Sequence, residues 1–304
     1  MEYGLCCLFW EEPIKFKTYT NKDITKLHKE DKNKSWKKVI GIWQHNIQTL
    51  QSAIDYCRNN NIKSYRISSD LLPQLHKMIT DEIISQQDLD WATDELKKIN
   101  SDGIILSMHP GQHVNMGSPS EEVISNSVRD LRSHFFVAIP LGCTEINIHL
   151  GGAYGDKEAT IARLKNNMRT HFTPEELSWI TFENDELNYS LKETVAVCKD
   201  LGIRCTYDLH HQRCHELKYD SDGTEEEYFQ WAKETWDGYD YMRMHISTPK
   251  AGYTTISKSR PHHDFIDLND LPRWLLNKDF LHVDIEAKAK ETAIRQLKAS
   301  VSGL

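Results

Sequence analysis

The sequence predicts a single (β/α)8 TIM barrel over residues 1–304, on three observations. Eight short β-rich runs alternate with longer stretches of helical periodicity, the order expected of a parallel sheet with crossover helices. Gly103, Gly142 and Gly202 each follow a helical stretch and precede a strand, as helix-ending glycines do. The length of 304 residues is that of one barrel with insertions.

In chain order, strands are expected at 3–9, 64–67, 104–109, 145–150, 179–183, 204–209, 241–246 and 280–285. The first helix is expected from about Asn46, with Leu50, Ile54 and Cys57 at helical spacing. The others fall at 88–100, 120–140, 156–171, 190–201, 224–235, 268–276 and 287–299. Asp88, Ser120 and Ser190 are suited to cap their helices, because a short side-chain oxygen takes up an orphan amide. A long basic loop, 11–44, fits no strand–helix unit and reads as an insertion after strand 1. There is no internal repeat, low-complexity tract or interdomain linker.

Composition excludes several classes. Hydrophobic residues at 39% and charged residues at 27% suffice for a core and exclude a disordered chain. No apolar run approaches the ~20 residues of a membrane helix. The opening MEYGLCCLFWEEP lacks a basic region and a cleavage site, so no signal peptide is expected. Seven scattered cysteines without a CxxC argue for reduced thiols in the cytoplasm, and against a disulfide framework or zinc ribbon.

The net charge of −8 hides an asymmetry. Residues 13–40 carry nine lysines against Asp23, Glu30 and Asp31, so this segment is +6 and the remainder −14. Lys250, Lys258 and Arg260 form a second basic stretch. A lysine run is usually a solvated face. Here the two runs follow strands 1 and 7, which brings both to the C-terminal face of the barrel. Phosphate tracking is therefore an equal reading of these lysines.

The strand ends carry the chemistry. Strands 3 to 6 end in His109, His149, Glu183 and Asp208, with His211 one turn beyond; strand 7 holds His245 and strand 8 ends in Glu286. His262 and His263 lie in the loop after strand 7. Any one of these is an ordinary core or turn residue. Six consecutive strands ending in His, Asp or Glu need partners, since such groups cost stability when buried unpaired. A divalent metal cluster supplies them, at the face where barrels build active sites. Imidazole with carboxylate, without thiolate, suits Mn²⁺, Zn²⁺ or Fe²⁺. Two ions about 4 Å apart bind the attacking and leaving oxygens of a phosphodiester and generate hydroxide near neutral pH.

The chain also resembles the UV damage endonuclease family, itself similar to the endonuclease IV-type barrel. The resemblance runs through YRISSDLLP (65–73), HPGQHVNMGSP (109–119), IHLGGAYGDKE (148–158), FENDE (182–186), YDLHHQ (207–212), HHDFI (262–266) and EAKAKE (286–291). It implies DNA repair: hydrolysis of the phosphodiester 5′ to UV photoproducts in double-stranded DNA, extending in related members to abasic or distorted sites. It implies up to three ions, typically Mn²⁺. His109, His149 and Glu183 would hold one. Glu183 would bridge to a second on Asp208, His245 and Glu286, and His211 with His262 would hold a third. Glu183 and Glu286 would thus be catalytic.

Three departures are visible. The family's ligand lysine two residues before the strand-7 histidine is Arg243, which cannot become a carbamate. The third ion then lacks a ligand, or Arg243 contacts phosphate and steadies the leaving oxygen. The family's probing glutamine–tyrosine pair is Gln112 and His113, of which histidine still stacks on a base. The family's strand-1 tyrosine is absent, with Phe9 or Trp10 as substitutes for contacting the lesion. The competing readings are a divalent-metal sugar isomerase or epimerase barrel, and a damaged-DNA binding module without turnover.

Overall fold

The structure, a computed structural model, describes residues 1–301. Eight parallel strands close into a barrel in sequence order. They are β1 (Glu2–Cys6), β2 (Ser64–Ile67), β3 (Ile105–Met108), β4 (Glu145–His149), β5 (Ile180–Glu183), β6 (Arg204–Asp208), β7 (Met242–Ile246) and β8 (Leu281–Ile285). β1 closes the ring by pairing with both β2 and β8. All eight expected strands are present. The first is shorter than expected because Cys7 takes a left-handed φ of 61° and turns the chain out of the sheet.

The helices form the outer layer: α1 (Asn21–Glu30), α2 (Lys32–Asn59), α3 (Leu75–Thr80), α4 (Gln86–Lys97), α5 (Glu121–Leu141), α6 (Lys157–His171) and α7 (Pro174–Ser178), then α8 (Leu191–Leu201), α9 (Leu209–His215), α10 (Glu225–Lys233), α11 (Ile256–Ser259) and α12 (Lys290–Val301). Ser120 and Ser190 cap α5 and α8, and Gly142 and Gly202 end them in left-handed geometry, as expected. Ser85, not Asp88, caps α4; Asp88 is the reciprocal partner in the capping box.

Two expectations are corrected. The basic stretch after β1 is largely helical, not a loop. Thr20 and Asp31 cap α1 and α2, and Ile24, Val39, Trp43 and Ile47 bury one face. The stretch 268–276 is two short 3₁₀ turns, because Pro272 disfavours helix at the residue before it.

Residues facing the helices are apolar: Leu5, Tyr65, Ile146, Phe182, Tyr207, Met244 and Val283 are all buried. The alternate residues point into the lumen, and here they are polar. Ser64, Ser107, Glu145, Asn147, Thr181, Thr206, Arg243 and Asp284 are buried too. The guanidinium of Arg243 on β7 pairs with Glu145 on β4 and, at 2.7 Å, with Asp284 on β8. β4 and β7 are three strands apart, so this contact runs through the lumen. The Asp284 carboxylate fits because β1 offers a glycine: a Cβ on Gly4 would lie 2.1 Å from Asp284 Oδ1 and 2.5 Å from Ser64 Oγ. Gly4→Ala is expected to destabilise the barrel by about 1–3 kcal/mol through overpacking. Chemical denaturation checks this, and an unchanged midpoint and slope would contradict it.

Candidate metal centre

The C-terminal ends of β3 to β8 deliver the candidate ligands to one mouth. Register aligns them: His149 is level with Glu183, and Asp208 with His245. Glu183, fully buried, is the hub. Its Oε2 is 3.0 Å from His109 Nε2 and accepts a hydrogen bond from Asn147. Its Oε1 lies 3.1 Å from His211 Nδ1 and 3.2 Å from His245 Nδ1. Glu286 Oε1 is 3.4 Å from His245 Nδ1. The His149 ring lies between those of His109 and His211, at 5.2 and 5.6 Å.

Among the described residues, three groups bring one ligand atom each to within 4.8 Å of one another: His109–His149–Glu183, Glu183–Asp208–His211 and Asp208–His245–Glu286. Glu183 and Asp208 each belong to two groups. The donor set fits a divalent cation on an independent observation. His149 Nδ1 and Asp208 Oδ2 are buried and have no hydrogen-bond partner. Buried polar atoms without partners are rare, and a cation is one thing that satisfies them.

The electrostatics of the mouth follow from this crowding. Burial pushes the Glu183 carboxyl up, but His245, His149 and their neighbours hold it well below the usual range. Burial likewise opposes ionised Glu286, and Arg66 and His245 overcome it. Burial would lower His245, yet Glu183 and Glu286 raise it to about 9. Burial dominates at His149, which falls to about 4, and at Asp208, which rises to about 6.

The other expected residues are placed as follows. His262 lies outside the three groups; its Nδ1 is 2.7 Å from the Glu286 carbonyl oxygen, and its ring meets His210. Arg243 is corrected outright. It is 1% exposed, one layer below His245, and its two carboxylate partners turn it away from any phosphate. Phe9 is corrected as well. It is buried against Tyr56 and Tyr65, because the chain leaving β1 packs under α2. Trp10 is 59% exposed, with its amide anchored on Glu291. Gln112 borders a cleft with His149, Glu186 and Arg260, whose guanidinium holds Glu186. His113 is exposed and lies 3.6 Å from Asp130. Lys250, in the turn after β7, and Lys258, on α11, are exposed.

Sequence reasoning passed over Arg66, Asn147 and Asp284. Arg66 Nη1 is 2.6 Å from Glu286 Oε1. Asp284 Oδ2 is 3.6 Å from His245 Nε2. Asp284 and Glu286 are two residues apart and so share the lumen side, a signal that alternation carried.

The fold and mouth define a (β/α)8 barrel with a histidine–carboxylate cluster at its C-terminal face. The profile of the UV-endonuclease UvdE family matches residues 1–304. The chain belongs to that family. A UV DNA damage endonuclease from Nostoc sp. is 31% identical over 98% of this chain and 89% of its own length. The crystal structure of SacUVDE superposes with a TM-score of 0.81 at 22% identity, covering 99% of each chain. Endonuclease IV from Thermus thermophilus gives 0.59 at 12% identity over the whole of both chains. These two structures share the fold. No helix among the described residues is long and apolar enough to cross a membrane.

Glu183→Gln keeps the volume of the hub and removes its charge. Mn²⁺ affinity, read by calorimetric titration, is expected to fall by more than the roughly 10–100-fold that loss of an outer partner gives. Circular dichroism should stay unchanged. Affinity within twofold of the parent would contradict the bridging position.

Proposed function

We propose that this chain is a damage-directed DNA endonuclease that hydrolyses the phosphodiester 5′ to UV photoproducts in duplex DNA. The observation that carries the reading is the family match over residues 1–304, with the motif histidines and carboxylates converging at one mouth. It favours the endonuclease over the isomerase and the binding-module readings.

His109, His149 and Glu183 would hold one divalent ion, and Asp208, His245 and Glu286 another, with Mn²⁺ the preferred species and Zn²⁺ the alternative. Such ions supply Lewis acidity toward phosphoryl oxygen and acidify water near neutral pH. The protein supplies the frame. Asn147 fixes one oxygen of Glu183, leaving the carboxylate a single orientation. Arg66 clamps Glu286 and limits its rotation. Buried walls exclude water, so these charges act in a medium of low dielectric. His211 and Asp208 share a tight turn in which the Asp208 carboxylate accepts the His211 amide at 2.7 Å, setting both side chains together.

Damage selection is assigned to the rim. A nucleotide already unstacked by a photoproduct costs less to splay out than one in a regular stack. Gln112, at the cleft beside His149, has an amide to probe base edges. The exposed rings of His113 and Trp10 offer stacking surfaces. Arg260 borders the cleft beside His149, and it is assigned phosphate contacts together with the exposed Lys250 and Lys258.

An end-labelled duplex with one cyclobutane dimer, beside undamaged and abasic twins, tests the reading with Mn²⁺ present. A cut immediately 5′ of the dimer is expected, with none on the undamaged twin. Absence of cutting on every duplex, with metal confirmed bound, would contradict it. In the same assay Gln112→Ala should reduce preference for damaged over intact duplex by about tenfold, the scale of one good base contact. Metal affinity should be unchanged. An unaltered preference would remove Gln112 from the probing role.

A further inference from the structure

We propose that α1 and the N-terminal half of α2 form a second contact surface for duplex DNA, gripping undamaged flank away from the lesion. This rests on the endonuclease reading above. The observations behind it are the position, rigidity and charge of this helical arm.

Position comes first. α2 has 28 residues and so spans ~42 Å, against ~17 Å for a five-residue strand. It descends along the barrel to Asn59 and leads into β2 from below. Asn46 marks where α2 passes the mouth. Its side-chain amide donates to the carbonyls of Asp70 and Leu71, at 3.0 and 3.1 Å, in the loop just beyond the end of β2. Residues 32–45 lie on the other side of that mark, so ~21 Å of helix extends past this level, with α1 packed beside it. That is the length of about six base pairs.

The arm is rigid. Ile24 is buried between the helices. His28 bonds Ser35, Thr25 bonds Asp81, and the Trp36 indole donates to Asp88 at the start of α4. A surface held in this way binds without the entropic loss of ordering a loop.

Charge decides the partner. Lys22, Lys26, Lys29, Lys32, Lys34, Lys37 and Lys38 are all exposed. Among the described residues only Lys26 of these meets a carboxylate, Glu30 at 4.0 Å. Lys22 and Lys26, and Lys34 and Lys38, are like charges one helical turn apart, an arrangement that weakens an isolated helix. A polyanion relieves that repulsion. The far side of the mouth has the opposite character. β6 stands across the barrel from β2, and the segment after its helix α9 exposes Asp220, Asp222, Glu226 and Glu227. A duplex crossing the mouth is thus drawn toward the arm and repelled from the opposite rim.

The test uses the full chain and a variant carrying Lys26→Ala, Lys29→Ala, Lys34→Ala and Lys37→Ala. Alanine preserves the helices. Fluorescence anisotropy with EDTA, so that nothing is cut, compares dimer-containing duplexes of 12 and 30 base pairs across a salt series. The parent should bind the longer duplex more tightly. The variant should lose that gain, weaken on the longer duplex by about tenfold or more, and lose roughly 3 from its salt slope. Its single-turnover nicking at saturating enzyme with Mn²⁺ should stay within twofold of the parent. Equal affinity and slope for parent and variant would overturn the arm alone. A parent that bound neither duplex would overturn the arm and the DNA reading together.

Discussion

Buried charge has to be balanced inside this barrel. A barrel of this kind usually fills its lumen with branched apolar side chains. Here the lumen and mouth hold five carboxylates, on Glu145, Glu183, Asp208, Asp284 and Glu286, against the guanidinium groups of Arg66 and Arg243. Arg243 offsets one of the two negative charges of the lower layer by spanning Glu145 and Asp284. Arg66 holds Glu286 at the mouth. Three negative charges are left for groups the strands also supply: His211 and His245 are raised in pKa by the carboxylates that face them. Divalent cations would relieve the same deficit and could also satisfy His149 Nδ1 and Asp208 Oδ2, which have no hydrogen-bond partner.

This constraint explains why the layers are ordered as they are. Asp284 stands between Arg243 and His245, so the lower ion pair buttresses a candidate ligand from beneath. Gly4 leaves the space Asp284 occupies. Removing one partner of a buried pair strands the other charge, which typically costs several kcal/mol. The layer below the mouth is therefore tied to the mouth, although none of its residues reaches solvent.

Much of the site was legible because strand ends are legible. His109, His149, Glu183, Asp208 and Glu286 follow short apolar runs, and in a parallel barrel all such ends share one face. The lumen was not legible. Arg66, Glu145 and Asn147 lie inside or at the start of strands whose alternation is as consistent with an outer surface as with a polar interior. Arg243 was visible as a departure from the family pattern, but its direction was set by Glu145, 98 positions away in the chain. The helical arm was hidden for a different reason. Its lysines dominate the composition of 13–40, and the buried positions Ile24, Val39 and Trp43 are too sparse to announce a helix beside them. At 268–276 the error ran the other way, since helical spacing of apolar residues outweighed Pro272.

The fold, the family and the polar lumen converge on a mouth whose histidines and carboxylates could hold divalent cations. Anomalous diffraction from crystals soaked in Mn²⁺ tests this most directly, with data on either side of the manganese edge. Manganese peaks are expected among His109, His149 and Glu183 and among Asp208, His245 and Glu286, with none beside Arg243. A lumen and mouth without manganese peaks, in crystals that diffract well and hold manganese elsewhere, would contradict it.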